Sequence, residues 1–351
     1  MLYSYEDRIK LNFDNISELS KPLNLSKDYV TADGVYGIEK SIKDFSNCSS
    51  DYHIKAFIEH GINFSQYLEC GFRVHESLPS ITMSPFRQNF IKSAKNNNGA
   101  YAIGPYINYS NGLLSEDQFN AEKEKLGNNL LVFPAHSTLG GTKNFSISDF
   151  CQKIKDISSE FDSVTISLYW KDVELGRDKY YKKHGFKVVT AGYMYDPYFL
   201  SRLRSIIELS DFTIANEIGT SSIYALSLNK PHVILPMEVE YDLEKTDGKY
   251  LSFVAQDSYN KTVESQKSDD IHLFKSHLLN SNGVINNENR NLINYYSGID
   301  CVKSREELKD IILKCENQYS KWRFYLKKPL FLKGYITRMK RVGVNILKDM
   351  M

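Results

Sequence analysis

The stretch NEIGTSSIYAL, residues 216–226, places a glycine and three consecutive hydroxyl residues just before an apolar run with helical spacing. The backbone N–H groups at the start of a helix attract anions, and Gly219 lets a ligand approach the backbone closely. Thr220, Ser221 and Ser222 would add hydroxyl donors for a phosphate. The alternative is that one of these hydroxyls only caps the helix. Because three hydroxyls exceed the needs of a cap, we expect a phosphate site here.

A second polar turn, PAHSTLGGT at residues 134–142, also follows a predicted strand. The imidazole of His136 suits a phosphate or a sugar hydroxyl, and Ser137 and Thr138 add hydroxyl groups; the alternative is an ordinary polar loop. Glu217 lies beside the predicted phosphate site, where a carboxylate would repel a phosphate. We therefore expect Glu217 to face a ribose or a sugar hydroxyl, and the sequence leaves open which of the two.

The stretch FIEHGINF, residues 57–64, holds the best candidates for a general base. Glu59 and His60 come at the end of a predicted strand, directly before Gly61, which indicates a sharp turn. A carboxylate or an imidazole in this position could take a proton from an acceptor hydroxyl. The alternative, which we weigh equally, is a pair of residues that only stabilises the end of the strand.

The stretch AGYMYDP, residues 191–197, brings an aromatic side chain to the end of another predicted strand. Tyr193 could stack on a nucleobase, and packing in the core is an equal alternative. The chain has neither GxGxxG nor GxxxxGK[ST], which argues against a dinucleotide-binding enzyme and against a P-loop NTPase. The acids of the SDD stretch, residues 268–270, fall in a polar loop, so we predict no metal site.

These turns require a sheet whose strands end at the same edge. From residue 130 onward the sequence alternates apolar runs of strand length with helix-like segments, which predicts a parallel sheet covered by helices on both faces. The predicted strands are LLVFPAH, SVTISLYW, KVVTAG, DFTIANE and HVILP. Ligands of such sheets bind beyond the carboxyl ends of the strands, where the polar turns fall. We therefore predict a Rossmann-like domain.

The length of the chain, 351 residues, fits two domains. Before residue 130 further strands are predicted near residues 53–61 and 100–107, with a helix that begins near Pro85. Turn residues and mixed charge then indicate a linker. The predicted division is a first domain at residues 1–110, a linker at 111–128, a second domain at 129–320 and a tail at 321–351.

The composition excludes several classes of protein. The net charge of +1 predicts no nucleic-acid partner. The five cysteines are scattered and form no CxxC pair, so we expect neither a disulfide framework nor a zinc site. The first residues, MLYSYEDRIKLNF, lack the apolar core of a signal peptide, and no run of 18 apolar residues is present. We therefore expect a cytoplasmic protein.

The tail, residues 321–351, differs from the rest of the chain because it holds nine Lys and Arg residues against one Asp, interleaved with aromatic and aliphatic residues. Such a segment suits an anionic membrane surface and predicts peripheral attachment to the inner face of the plasma membrane. The alternative, weighed equally, is that the apolar residues pack on the domains and the charges form a solvated face.

Four stretches together resemble bacterial GT-B glycosyltransferases of capsule and O-antigen synthesis, and more distantly bacterial sialyltransferases. The stretches are LLVFPAHST, VTISLYWKD, VVTAGYMYDPYFLSRLRSIIELSD and TIANEIGTSSIYALSLNKPHVIL, within a similarity that covers residues 53–236. The resemblance implies an α/β, GT-B-like fold, with two Rossmann-like domains facing a cleft. It further implies a last helix, near residues 304–325, that crosses back to the first domain.

Sialyltransferases of this type carry an acidic motif ending in glycine, a His-Pro pair and a Ser/Thr pair. Here IEHG has His60 where a second acid is usual, AHST has Ser137 in place of proline, and GTSS matches best. The resemblance implies a nucleotide-sugar donor in the second domain, CMP- or UDP-linked, with no further cofactor. It implies a glycan or lipid-linked acceptor beside the first domain.

The expected activity is the transfer of a sugar by displacement at its anomeric carbon. Glu59 or His60 would deprotonate the acceptor hydroxyl, while His136 and the three hydroxyls at residues 220–222 would stabilise the departing phosphate. One alternative is a nucleotide-sugar 2-epimerase, which would need several acids and a histidine directed into the cleft. Another is a non-catalytic assembly protein of a polysaccharide complex.

Overall fold

The computed structural model contains two parallel β-sheets with helices packed around them. The described residues are 5–23, 32–68, 78–94, 99–138, 141–243, 272–274, 276, 278 and 283–326. The strands are β1 (Phe57–Ile58), β2 (Ser80–Thr82), β3 (Ala100–Ala102), β4 (Asn129–Phe133), β5 (Gly141–Asn144), β6 (Ser163–Ser167), β7 (Lys187–Val189), β8 (Phe212–Ala215), β9 (His232–Ile234) and β10 (Glu240–Leu243).

Helices connect the strands of both sheets. The α-helices are α1 (Tyr5–Arg8), α2 (Ile16–Leu19), α3 (Ile38–Phe45), α4 (Pro85–Ala94), α5 (Glu116–Leu126), α6 (Ile147–Ile157), α7 (Trp170–Glu174), α8 (Asp178–Lys183), α9 (Phe199–Glu208), α10 (Thr220–Ser227), α11 (Arg290–Ser297) and α12 (Arg305–Leu326). Short 3-10 helices span Ala32–Gly37, Tyr106–Tyr109 and Ser158–Glu160.

The second sheet has five strands in the order β7-β6-β4-β8-β9, and every neighbouring pair is parallel. The central strand β4 is buried at all five positions, as expected for a sheet covered on both faces. The helix predicted after β4 begins where Ser146 Oγ accepts a hydrogen bond from Asp149 N. The predicted Rossmann-like domain is therefore confirmed, and we call it the second unit.

The first sheet has three short parallel strands in the order β1-β2-β3. We call it, with α3 and α4, the first unit. Buried side chains of both units, among them Ile58 and Ile81 of the first and Leu131 and Ile223 of the second, belong to one apolar cluster. Two parallel α/β units that face a cleft form the GT-B-like arrangement predicted from the sequence.

The predicted linker, residues 111–128, contains the regular helix α5. Ser115 caps this helix: its Oγ accepts from Gln118 N at 3.3 Å, and its N–H donates to Gln118 Oε1 at 3.0 Å. Within α5 only Leu126 is buried. The sequence analysis missed this helix because it buries little apolar surface and therefore has no apolar stripe, although the capping box at its start was a readable signal.

Both ends of the described chain cross between the units. Thr190 N donates to Phe13 O and Tyr193 N donates to Leu19 O, so the start of the chain packs on the second unit although the sequence assigns it to the first. The last helix, α12, follows the second unit in the chain and packs on the first unit, as expected. Its Glu316 accepts a hydrogen bond from Tyr52 Oη, and its Gln318 donates to Tyr101 Oη.

The helices of the described residues include none that is long and apolar enough to cross a membrane. The predicted basic tail falls on residues 327–351 for the most part, and these lie outside the described residues.

Candidate functional site

A cleft of about 420 Å³ lies between the two units, beyond the carboxyl ends of β1, β4, β6 and β8. Its walls are largely apolar and aromatic, with Tyr36 and Phe64 from the first unit and Phe133, Tyr169 and Phe199 from the second. The polar side chains that line it come from both units and are His60, Asn63, His136, Lys143, Ser167, Glu217, Thr220 and Ser221. This is the place that an open parallel sheet offers to a ligand.

The three hydroxyl residues at the start of α10 have separate positions. Ser222 is fully buried, and its Oγ accepts a hydrogen bond from Gly219 N at 3.4 Å. Thr220 Oγ1 accepts from Ile62 N of the first unit at 3.1 Å, so this side chain joins the two units. Ser221 is half-buried and lines the cleft. Ser222 thus satisfies the N–H of Gly219, the N-cap residue of α10, and Ser221 is the hydroxyl best placed for a ligand.

Lys143 is a functional candidate that the sequence did not indicate. Its ammonium forms an ion pair with the Glu217 carboxylate, and both side chains line the cleft. Its backbone is fixed because Arg177 Nη2 donates to Lys143 O at 2.6 Å and Lys143 N donates to Ser137 Oγ at 3.2 Å. The ammonium offsets the charge of Glu217, so an anion can bind beside this carboxylate.

His136 exposes its ring to the cleft beside Lys143. Its Nδ1 lies 3.1 Å from Ser137 O. Because a carbonyl oxygen only accepts, Nδ1 carries the proton and Nε2 is left as an acceptor. Desolvation by the surrounding atoms lowers the pKa of His136, and the positive charge of Lys143 lowers it further. The imidazole is therefore neutral at pH 7.

Ser137 and Thr138 build the turn after β4 and do not line the cleft with His136. Ser137 is fully buried, and its N–H donates to the Asp172 carboxylate at 3.2 Å. The Thr138 hydroxyl lies 3.0 Å from Tyr241 Oη on β10. Arg177 completes this network by donating to Asp172 at 2.8 Å. These contacts hold the turn that carries His136 and Lys143.

Glu59 is fully buried and is not one of the described residues that line the cleft. Its carboxylate accepts hydrogen bonds from Asn63 Nδ2 at 3.0 Å, Thr82 Oγ1 at 2.6 Å and Arg87 Nε at 2.8 Å. A carboxylate held by three donors, one of them a guanidinium, has no access to an acceptor hydroxyl in the cleft. Of the two predicted bases, the structure places only His60 at the cleft.

Tyr193 packs away from the residues that line the cleft. Its ring lies 4.8 Å from that of Trp170 and 5.8 Å from that of Tyr195, centroid to centroid. The ring of Tyr169 lies beside His136, with 4.6 Å between the centroids. Of the predicted site residues, the cleft thus brings together His60, His136, Glu217, Gly219, Thr220 and Ser221.

Among the described residues, no group of three or more His, Cys, Asp or Glu residues is arranged to hold a metal ion. The positive charge at the cleft is supplied by Lys143.

No protein-family model and no curated protein matches the chain. Several solved structures match it at low TM-scores. A UDP complex of MnaA from S. aureus is 10% identical with a TM-score of 0.33, covering 76% of this chain and 81% of that one. UGT73P12 from Glycyrrhiza uralensis, complexed with glycyrrhetinic acid 3-O-monoglucuronide, is 9% identical with a TM-score of 0.36, covering 85% and 71%.

A third structure is UDP-GlcNAc 2-epimerase from Neisseria meningitidis bound to UDP-GlcNAc. It is 12% identical with a TM-score of 0.31 and covers 85% of this chain and 84% of its own. Because all three TM-scores are low, the function of this chain has to be argued from the geometry of its own cleft.

Proposed function

We propose that the protein is a glycosyltransferase that moves a sugar from a nucleotide-activated donor to a glycan acceptor. The observation that carries the proposal is the composition of the cleft. His60 of the first unit faces a second unit that contributes His136, Lys143 and the start of α10 with Ser221. A base on one side and a phosphate site with an ammonium group and a hydroxyl donor on the other are the groups that sugar transfer from a nucleotide requires.

On the donor side, negative charge grows on the phosphate as the bond to the sugar breaks. The Lys143 ammonium, the Ser221 hydroxyl and the N-terminal end of α10 would stabilise this charge in the transition state. Glu217, paired with Lys143, would accept a hydrogen bond from a ribose or sugar hydroxyl. Because a lysine supplies the positive charge, we expect transfer without a divalent metal, and EDTA should leave the rate unchanged.

On the acceptor side, His60 would take the proton of the attacking hydroxyl. Glu59, the residue before His60, accepts hydrogen bonds from Asn63 and Arg87. Arg87 Nη2 in turn donates to Tyr67 O at 3.1 Å. The buried carboxylate thereby fixes the loop that follows β1, and this loop lines the cleft from Gly61 to Phe64.

The first test is a thermal-shift panel with CMP, CDP, UDP, GDP and dTDP. One nucleotide, with CMP and UDP as the leading candidates, should raise the melting temperature, whereas no shift with any of them would contradict the proposal. Ser221→Ala should reduce the shift while leaving the melting temperature of the free protein unchanged. Ser222→Ala is the matched control, because it removes the buried acceptor of Gly219 N: the free protein should melt lower, and the nucleotide shift should remain.

The second test separates transfer from isomerisation. UDP-glucose, UDP-N-acetylglucosamine and CMP-N-acetylneuraminate are incubated with and without a mixture of glycan acceptors. Acceptor-dependent release of the nucleotide supports a transferase. Conversion of a donor to its 2-epimer without an acceptor would establish the isomerase instead. If neither reaction occurs, the non-catalytic assembly protein is the remaining candidate.

We further propose that the acceptor is a lipid-linked glycan of bacterial surface polysaccharide synthesis, at the inner face of the plasma membrane. The support is the basic and aromatic composition of residues 321–351, which suits an anionic lipid surface. Deletion of residues 329–351 should abolish sedimentation with vesicles that contain anionic lipid. Continued binding of the truncated protein to these vesicles would contradict this part of the proposal.

A further inference from the structure

Two consecutive residues at the edge of the cleft, Tyr36 and Gly37, have left-handed backbone conformations. Their φ angles are +59° and +66°. Glycine adopts this conformation freely, whereas an aromatic residue with a positive φ is uncommon and strained. Such strain persists only where the surroundings hold the residue, and it concentrates at functional positions. The contacts of Tyr36 therefore indicate what the strained turn does.

The turn belongs to the first unit but is held by the second. It leads directly into α3, whose Ile38 and Ile42 lie in the main apolar cluster. Its contacts in the second unit begin with Tyr36 N, which donates to Met194 O at 2.6 Å. A Cβ on Gly37 would lie 2.3 Å from Pro197 O, so the two backbones touch at a position that admits only glycine.

The side chain of Tyr36 makes a further connection between the units. Its hydroxyl lies 3.0 Å from the hydroxyl of Tyr169, at the carboxyl end of β6. Its ring meets His60 edge to face with 6.3 Å between centroids, and Tyr169 packs on His136 at 4.6 Å. The two tyrosines thus join the imidazole of the first unit to the imidazole of the second.

We propose that Tyr36 is a positioning residue that sets the distance between His60 and His136 across the cleft. It does so because the Tyr36–Gly37 turn locks into the second unit through Met194 O, Pro197 O and the Tyr169 hydroxyl. The consequence for catalysis rests on the proposed function, since His60 is the base only if the protein transfers a sugar. The lock between the units itself does not depend on that function.

The principal variant is Tyr36→Phe, which keeps the ring and removes the hydroxyl. Loss of one hydrogen bond between the units should lower kcat about fivefold, with the KM for the donor sugar nucleotide unchanged, because the donor site lies in the second unit. Tyr52→Phe is the matched control: it also removes a tyrosine hydroxyl bonded across the chain, to Glu316, away from the cleft. It should leave kcat unchanged.

Hydrogen exchange of the protein without ligand gives a second readout that needs no activity. In Tyr36→Phe, peptides that cover residues 35–38 and 59–63 should exchange about tenfold faster, and peptides of β4 and β6 should exchange at the parent rate. Gly37→Ala should have the same effect more strongly, because its Cβ forces the turn away from Pro197.

The outcomes separate the two proposals. Unchanged exchange in Tyr36→Phe and Gly37→Ala overturns the lock, whether or not a nucleotide binds. Faster exchange with an unchanged kcat overturns the positioning role. If exchange is faster in the variants but the parent protein binds no nucleotide, the lock between the units is supported and the glycosyltransferase proposal is contradicted.

Discussion

Gly61 lies at the floor of the cleft, where the first unit meets the second, and we expect Gly61→Ala to be strongly destabilising. Its φ is +66°, and a Cβ on it would lie 2.2 Å from Thr220 Oγ1 and 3.1 Å from Thr220 Cβ and Cγ2. The left-handed conformation costs an alanine about 1–2 kcal/mol, and overpacking adds about 1–3 kcal/mol. The free energy of unfolding should therefore fall by about 2–5 kcal/mol.

The steric part of this loss can be measured separately. Thr220→Ala removes Oγ1 and Cγ2 and should by itself cost about 1 kcal/mol, because Ile62 N loses its acceptor. In the double variant the contacts with Oγ1 at 2.2 Å and Cγ2 at 3.1 Å are gone, whereas the backbone strain of position 61 and the 3.1 Å contact with the Cβ of position 220 remain. We therefore expect the double variant to be more stable than the sum of the single losses predicts, by at least about 1 kcal/mol.

The assay is urea unfolding of the parent, both single variants and the double variant at one pH and temperature. Gly219→Ala is the control glycine, because its backbone is extended and a Cβ there would meet no atom within 4 Å. The reasoning is refuted if the losses at positions 61 and 220 are additive within about 0.5 kcal/mol. It is also refuted if Gly61→Ala costs no more than Gly219→Ala.

Three further predictions concern charges. Lys143→Met should weaken binding of the nucleotide about tenfold in calorimetry, whereas the exposed Lys153→Met should not. Glu59→Gln leaves the Arg87 guanidinium buried without its counterion and should destabilise the protein by about 3 kcal/mol. The pH profile of kcat should nevertheless keep its shape, because the proposed base is His60. Burial lowers the pKa of His232 from 6.5 to about 3. The stability gained by keeping this histidine neutral is present above pH 6.5 and is lost below it, by about 2 kcal/mol at pH 5, and His232→Asn should lack this loss in urea unfolding.

The second sheet was predictable because strands buried on both faces read as continuous apolar runs. β4 and β8 have this pattern. β5 was missed because Gly141–Asn144 is polar and short, and its partner β10 lies about a hundred residues later in the chain. Lys143 was missed with it, since nothing local indicates that its side chain meets Glu217.

The candidate site was predictable in position and less so in roles. The predicted ends of the strands located His60, His136 and the start of α10 at the site, because the carboxyl ends of parallel strands lie at the same edge of a sheet. The role of Glu59 depends on Arg87, which lies 28 residues later and reaches it only through the fold of α4. The separate tasks of the hydroxyls at the start of α10 depend on the exact direction in which each side chain leaves the helix, which a run of three hydroxyls does not reveal.

The crossed ends of the chain have a consequence for dissecting the protein. Each unit needs a piece of chain from beyond its own sequence range: the second unit carries residues near Phe13 and Leu19, and the first carries α12. Residues up to the start of α5, expressed alone, would expose the apolar surface that Leu308, Ile312 and Cys315 cover in the intact molecule.

A cut between the units, at the exposed Asn111, therefore gives two fragments that each lack contacts supplied by the other. We therefore expect that neither half folds as an independent domain, and that the two halves regain the native cleft only when they are refolded together.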